Sequence, residues 1–159
     1  MNETQIRRAG PADWQAICNI EEDSFSSPYP SLVLKRLLHD CSENFLVATD
    51  EHGNLMGYCV SYSKGKSAHL ISIAVLRNHR RRGIASALLQ TLVKNFGERR
   101  IEEVWLEVKL DNGEAIPLYA KFGFERVMVV PQYYDDGSSA LKMRLTLQGA
   151  ALVGERGSL

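Results

Sequence analysis

The sequence predicts one α/β domain built on a mixed sheet with helices on both faces. Three observations predict it: an apolar, β-branched run at residues 70–76, a helical line after it, and strict alternation over residues 103–109. The helical line is Ile84, Leu88, Leu92 and Phe96, with Ala85, Leu89 and Val93 beside it. Strand, long helix and strand in that order make a parallel crossover, right-handed by default. A chain of 159 residues can bury roughly 70% of its unfolded surface around one core. Residues 1–148 are expected to form the domain, and residues 149–159, which lack pattern, a flexible tail.

Residues 5–9 read as a first strand, stopped by Gly10-Pro11. Pro11 suits a first helical position and Asp13 a first turn, after which Trp14, Ile17, Cys18 and Ile20 carry a helix towards Ser24. Residues 25–30, FSSPYP, are a loop with two prolines and two aromatics. Ser31 is expected to cap a second helix through about His39, with Leu34, Leu37 and Leu38 inward. Residues 44–49 and 55–63 are strands joined by a hairpin at Asp50-Glu51-His52-Gly53-Asn54. Lys64-Gly65-Lys66 turns the chain into the central strand. The long helix is expected to stop at Gly97, through a left-handed residue. In the strand at residues 103–109, Val104, Leu106 and Val108 share one face, and Trp105, Glu107 and Lys109 the other. A short helix at residues 113–121 follows, then strands at 124–130 and 139–146 around a loop at 131–138.

Nineteen basic and nineteen acidic residues cancel, which speaks against a general nucleic-acid or membrane partner. Cys18, Cys41 and Cys59 have no paired spacing and read as thiols of a reduced, cytoplasmic protein. His39, His52, His69 and His79 make no ligand-like spacing, so no metal is expected. The N-terminus is polar and no apolar stretch approaches about 18 residues, so neither a signal peptide nor a membrane span is expected.

The chemistry starts where the central strand becomes a helix. Residues 77–82 carry four arginines, and Gly83 comes next. The first amides of a helix lack internal partners and their dipoles converge on the preceding loop. Gly83 has no side chain, so an anion can approach the backbone closely. The pattern is Arg80-x-x-Gly83-x-Ala85. It lacks the Gly-Lys-Ser/Thr of a P-loop and the three spaced glycines of a dinucleotide fingerprint. The bend is therefore read as a seat for a phosphate-bearing ligand. Ligands in such sheets bind near the carboxyl ends of the strands, which would gather this bend, the end of the 103–109 strand and Asn112 on one rim. On their own, Glu107 reads as a surface carboxylate, Asn112 as a helix cap and Tyr119 as a core tyrosine.

Taken together with the bend, the segment Asn112-x-x-Ala115-Ile116-x-Leu118-Tyr119-x-x-x-Gly123-Phe124 resembles the GNAT superfamily of acetyl-CoA-dependent N-acetyltransferases. The likeness covers about residues 5–146. Leu106-Glu107-Val108 and Tyr133-Tyr134-Asp135-Asp136-Gly137 are similar to the branch that acetylates protein N-termini, the bacterial ribosomal-protein alanine acetyltransferases and the archaeal and eukaryotic catalytic subunits. The resemblance implies a mostly antiparallel twisted sheet with a splayed central strand pair. It implies that acetyl-CoA lays its pantetheine arm along Ile73, Ala74 and Val75, with the Val75 amide facing the thioester oxygen. Backbone amides across Arg81, Arg82, Gly83, Ile84, Ala85 and Ser86 would hold its pyrophosphate, and Arg80, Asn112 and Tyr119 would also contact the cofactor. Glu107 would be the general base, through water, and Tyr119 the general acid for the departing thiolate, in direct attack within a ternary complex. Peptide recognition would fall to Phe25 and Tyr29, for which a core anchor is an equal reading at Phe25, and to Tyr133 and Tyr134, otherwise ordinary hairpin stacking. The chain departs from the branch at Ser138-Ser139-Ala140, where similar proteins often carry Glu-Asp-Ala.

Magnitudes favour an α-amine substrate. With a pKa of about 7.7–8.0 it is roughly a tenth neutral at pH 7, whereas a lysine side chain is under about 0.1% neutral. The resemblance to that branch implies acetylation of a protein or peptide N-terminus, by a monomer or a homodimer. Two alternatives compete with it: an acetyltransferase for a small amine (polyamine, amino acid or antibiotic), and a non-catalytic acetyl-CoA-binding module. The presence of both Glu107 and Tyr119 argues against the second.

Overall fold

The computed structural model describes residues 3–147; the tail expected at residues 149–159 lies outside them. The elements run β1 (Gln5–Arg8), α1 (Trp14–Ser24), α2 (Ser31–Asp40), β2 (Phe45–Thr49), β3 (Leu55–Lys64), β4 (Ser67–Val75), α3 (Ile84–Glu98), β5 (Glu103–Lys109), α4 (Ala115–Lys121), β6 (Glu125–Val130) and β7 (Ala140–Thr146). Single 3-10 turns stand at Pro11–Asp13, Ser42–Asn44 and Arg77–His79. The strands form a seven-stranded sheet in the order β1-β2-β3-β4-β5-β7-β6, with one parallel neighbour pair, β4 and β5. The chain divides into two compact units, one holding the residues up to Tyr62 with Leu70–Val93, the other Ser63–His69 with the chain from Lys94 onward.

In the first unit, β2 pairs antiparallel with both β1 and β3. Every residue of β2 is buried, as a strand covered on both faces must be. On one face Phe45, Val47, Tyr58 and Val60 cluster with Ile17 and Ile20 of α1 and Leu34 of α2. On the other, a side chain built on Gly57 would come within 3.4 Å of Ile84 in α3. Helices on both faces follow directly. The inward line of α3 is as the period predicts, with Ile84, Leu88, Leu92 and Phe96 all buried. Ser31 departs from expectation. Pro30 holds the cap position and its carbonyl accepts from Val33 and Leu34, while Ser31 is already helical and its carbonyl accepts from the Trp14 indole at 2.7 Å.

In the second unit, β5 alternates half-buried and buried from end to end, with Val104, Leu106 and Val108 facing the core. It pairs antiparallel with β7 along its length, and β7 pairs with β6. The parallel pairing with β4 joins Ser67, Ala68 and His69 to Glu103, Val104 and Trp105. This explains why β4 begins three residues before the apolar run that signals it. The stop of α3 also corrects the reading of Gly97, which is helical. Arg100 takes the left-handed conformation instead (φ 59°), and the Ile101 amide reaches back to the Phe96 carbonyl at 3.0 Å. That bond, joining two buried residues across the turn, is the six-to-one closure of a Schellman motif.

Candidate active site

The bend before α3 is pinned at both ends inside the first unit. The Arg77 amide donates to the Asp23 carboxylate and its Nε to the Asp23 carbonyl, both at 2.8 Å. Arg80 Nε donates to the Val75 carbonyl at 3.0 Å, tying the bend to the end of β4. Two of the four arginines are thus engaged in shaping the loop, which leaves the backbone beyond them as the candidate anion seat. There Arg81 (φ 63°) and Gly83 (φ 77°) are both left-handed, a conformation glycine adopts at little cost. The Gly83 carbonyl accepts from Ala87 at 3.0 Å, so Gly83 stands at the cap position. The amides of Ile84, Ala85 and Ser86 are the first-turn groups that a helix cannot pair internally. A Cβ on Gly83 would meet no atom within 4 Å. The space in front of this backbone is therefore open to a ligand, and the residues fit a diphosphate.

In the second unit, Glu107 sits in the middle of β5 with its side chain largely buried. Its Oε1 accepts from His69 Nε2 at 2.7 Å and from the Tyr133 hydroxyl at 3.1 Å. No residue among those described donates to Oε2, so one oxygen is anchored and the other remains to take a proton. The His69 hydrogen bond, with help from the His69, Tyr133 and Lys142 charges and dipoles, holds the carboxyl below its ordinary value of 4.5 against the opposing effect of burial. The loop at residues 131–138 closes onto β5 through this tyrosine and through Lys109 to Asp136 at 3.1 Å. Tyr133 and Tyr134 pack edge to face, 4.9 Å between ring centres, and both amides donate to the Ser138 carbonyl. The hairpin-stacking reading therefore describes their rings, while the Tyr133 hydroxyl is turned to Glu107.

The other residues singled out by sequence take varied places. Tyr119 is 6% exposed and packs edge to face on Phe124. Asn112 Oδ1 accepts from the Glu114 and Ala115 amides at 3.3 and 3.0 Å, so it does cap α4. Phe25 and Tyr29 are 39% and 40% exposed, which decides against a core anchor at Phe25.

Three features escape the sequence reading. His69 lies 38 residues from Glu107, and only the β4–β5 register brings them together. Gly57 faces the Ala74 carbonyl so closely that a Cβ would stand 2.8 Å from it; a glycine inside a strand pattern is itself the signal for such an approach. Glu21 is 2% exposed in the core. Its Oε1 accepts from the Tyr58 hydroxyl, and its Oε2 from the Tyr29 amide at 2.8 Å. Tyr58 in turn contacts Ser72 Oγ at 3.1 Å. Helical spacing from Ile17 and Ile20 points Glu21 inward, which is the signal that could have found it.

The first unit thus offers an open bend before α3 and the second an ionised strand carboxylate; residues 14–124 match the Acetyltransferase (GNAT) family, to which this chain belongs. Within that family it is an acetyl-CoA-dependent N-acetyltransferase. It is 35% identical over 158 residues to the N-alpha-acetyltransferase of Sulfurisphaera tokodaii, across 91% of this chain and 94% of that one. The ribosomal protein bS18-alanine N-acetyltransferase of Escherichia coli is 27% identical over 139 residues, across 85% and 92%. Among solved structures, Ard1 from Thermoplasma volcanium superposes with a TM-score of 0.86 at 31% identity, across 91% and 97%. Among the described residues, no helix is long and apolar enough to cross a membrane.

Proposed function

We propose that this chain transfers an acetyl group from acetyl-CoA to the α-amino group of a protein or peptide N-terminus, by direct attack in a ternary complex. Bound acetyl-CoA supplies an acyl carbon activated as a thioester. The backbone from Arg81 to Ser86 holds the diphosphate, Ile73, Ala74 and Val75 pair with the amide-bearing arm, and Asn112 and Tyr119 line it. As the C–N bond forms and the C–S bond breaks, the Val75 N–H faces the oxygen on which negative charge grows. Glu107 takes the amine proton on Oε2, directly or through one water, while His69 and Tyr133 fix Oε1. Tyr119 gives its phenolic proton to the departing sulfur. Phe25 and Tyr29 receive the first residue, and Tyr134 and the 131–138 loop meet the peptide backbone. Burial raises all three thiols above their ordinary value, Cys59 to about 12, which supports direct transfer over an acyl-cysteine.

The observation that carries this reading is the Glu107 carboxylate, anchored through one oxygen and ionised at neutral pH. A carboxylate of that kind is a mild base, matched to an α-amine that is already partly neutral. The name of the relative from Sulfurisphaera tokodaii supports the same substrate class. The test is incubation with acetyl-CoA and a library of short peptides varied at the first two positions, alongside polyamines and free amino acids. Acetylated peptide N-termini with inert small amines are the expected result; the reverse would overturn the assignment.

A further inference from the structure

One buried carboxylate of the first unit has no part in the proposed acyl transfer. Glu21 stands in the last turn of α1 and is 2% exposed. It ties the 25–30 loop at both ends: the Phe25 amide donates to its carbonyl at 3.1 Å, and the Tyr29 amide to its Oε2 at 2.8 Å. Pro28 and Pro30 carry no N–H, so of the six residues in that loop four have amides, and two of these go to Glu21. The Phe25 bond is the ordinary closure of a helix end, and any residue at position 21 would supply it. The Tyr29 bond needs a side-chain acceptor that reaches past the helix end.

That carboxylate is itself held from the sheet. Tyr58 on β3 donates to Glu21 Oε1. Burial, and then the Glu21 charge, push the phenol above its ordinary value, so it keeps the proton it donates. A phenol has one hydrogen, which makes Ser72 on β4 the donor in its 3.1 Å contact with Tyr58. The hydrogen bonds thus run one way, from the central strand through Tyr58 to the carboxylate, whose second oxygen passes that fixed position to the loop. Stability alone does not call for this arrangement. Ile17 and Ile20 of α1 share the core with Tyr58, and an apolar pair of similar shape fills such a place at little cost. What an apolar pair lacks is an acceptor for the Tyr29 amide.

We propose that Glu21 is a positioning residue for the peptide substrate, holding the 25–30 loop so that Phe25 and Tyr29 stand where they receive the first residue of the chain to be acetylated. It touches no substrate itself, since both oxygens are occupied and the side chain lies in the core. The same occupancy rules it out as a second general base. The inference rests on the proposed N-terminal acetylation and says what shapes the peptide end of that site. Without the anchor the loop samples other conformations, and binding must then order it, a cost that falls on peptide affinity.

The experiment uses the whole protein with acetyl-CoA and the library peptide it acetylates fastest. Tyr58→Phe leaves Glu21 on the Tyr29 amide. Glu21→Leu/Tyr58→Phe fills the same space and removes that bond. Glu21→Gln/Tyr58→Phe gives the amide back one acceptor oxygen. Peptide KM is expected to stay within about threefold of wild type in the first, to rise about tenfold in the second and to recover most of that loss in the third. Acetyl-CoA affinity by calorimetry, and kcat at saturating peptide, should hold within about threefold throughout. Glu21→Asp leaves the charge one methylene short of Tyr29 and gives an independent reading, a severalfold rise in peptide KM. Unchanged peptide KM in Glu21→Leu/Tyr58→Phe or in Glu21→Asp would overturn this inference and leave N-terminal acetylation standing. So would the absence of recovery in Glu21→Gln/Tyr58→Phe, or a loss of acetyl-CoA affinity as large as the rise in peptide KM. A wild type that acetylates no peptide would overturn the proposed function and this inference with it.

Discussion

Consider the replacement Gly57→Ala, a single methyl added to a strand interior. The new Cβ would lie 2.8 Å from the Ala74 carbonyl oxygen, 3.2 Å from Val75 Cγ2 and 3.4 Å from Ile84 Cγ2. Carbon–oxygen contacts settle at about 3.3–3.6 Å, so the strand must give way by roughly 0.5–0.8 Å. The obstructing atom is backbone, with no side-chain rotation to relieve it. Met56 makes the position stiffer, because it is the extra residue of a bulge against β2 and its carbonyl accepts the Leu76 amide at 2.9 Å. Overpacking of this kind costs about 1–3 kcal/mol, and at this chain length each kcal/mol moves Tm by about 2–4 °C. A fall of roughly 2–12 °C follows. The strand displaced is the one assigned to the pantetheine arm, so acetyl-CoA affinity should weaken severalfold in the same variant. Thermal unfolding by circular dichroism and calorimetric titration of acetyl-CoA read the two effects separately. Gly97→Ala is the control, since its Cβ meets nothing within 4 Å and the residue is helical; it should hold or raise Tm. A Gly57→Ala protein with wild-type Tm and wild-type donor affinity would refute the reasoning.

Further predictions concern the site itself. Glu107→Gln keeps the shape but not the proton acceptor, and kcat should fall about 10²–10⁴-fold with little change in acetyl-CoA affinity, measured by steady-state kinetics and calorimetry. Because the His69 hydrogen bond lowers the Glu107 pKa, the base stays ionised through the neutral range. Between pH 6 and pH 8, kcat/KM for a peptide should therefore follow the α-amine, rising about tenfold per pH unit below its pKa of about 7.7–8.0. The same lowered pKa makes the Glu107 contribution to stability complete above the ordinary carboxylate range and lost as pH falls through the lowered value, which acid unfolding of the wild type against Glu107→Gln would record. Gly83→Val forces a branched residue into φ 77° and fills the open space before the α3 amides. Binding of acetyl-CoA should be lost while the fold survives, by calorimetry and circular dichroism in parallel.

Alternation and helical period made β5 and α3 readable, since their buried residues repeat every two and every three to four positions along a single segment. The stop of α3 was less readable. Glycine at position 97 is the better left-handed residue, yet Phe96 and Ile101 are both buried, and closing the turn between them puts Arg100 in that conformation. Tertiary burial overrode local preference. The partner of Glu107 was unreadable for a different reason. Which residue of β4 stands near which residue of β5 is a matter of register across a crossover of some thirty residues, and no local pattern encodes it.

The buried Glu21 has an evolutionary consequence. Both its oxygens are spent on neutral donors, a phenol on β3 and an amide in the 25–30 loop, and a donor stranded in an apolar interior costs about 1–3 kcal/mol. Drift at either Glu21 or Tyr58 alone is therefore penalised, whereas a paired exchange to Leu and Phe escapes much of the penalty. The two sites are epistatic, and a double-mutant cycle should return a coupling energy within the roughly 0.5–3 kcal/mol of directly bonded neighbours. Lineages descended from this chain should keep both residues or lose both.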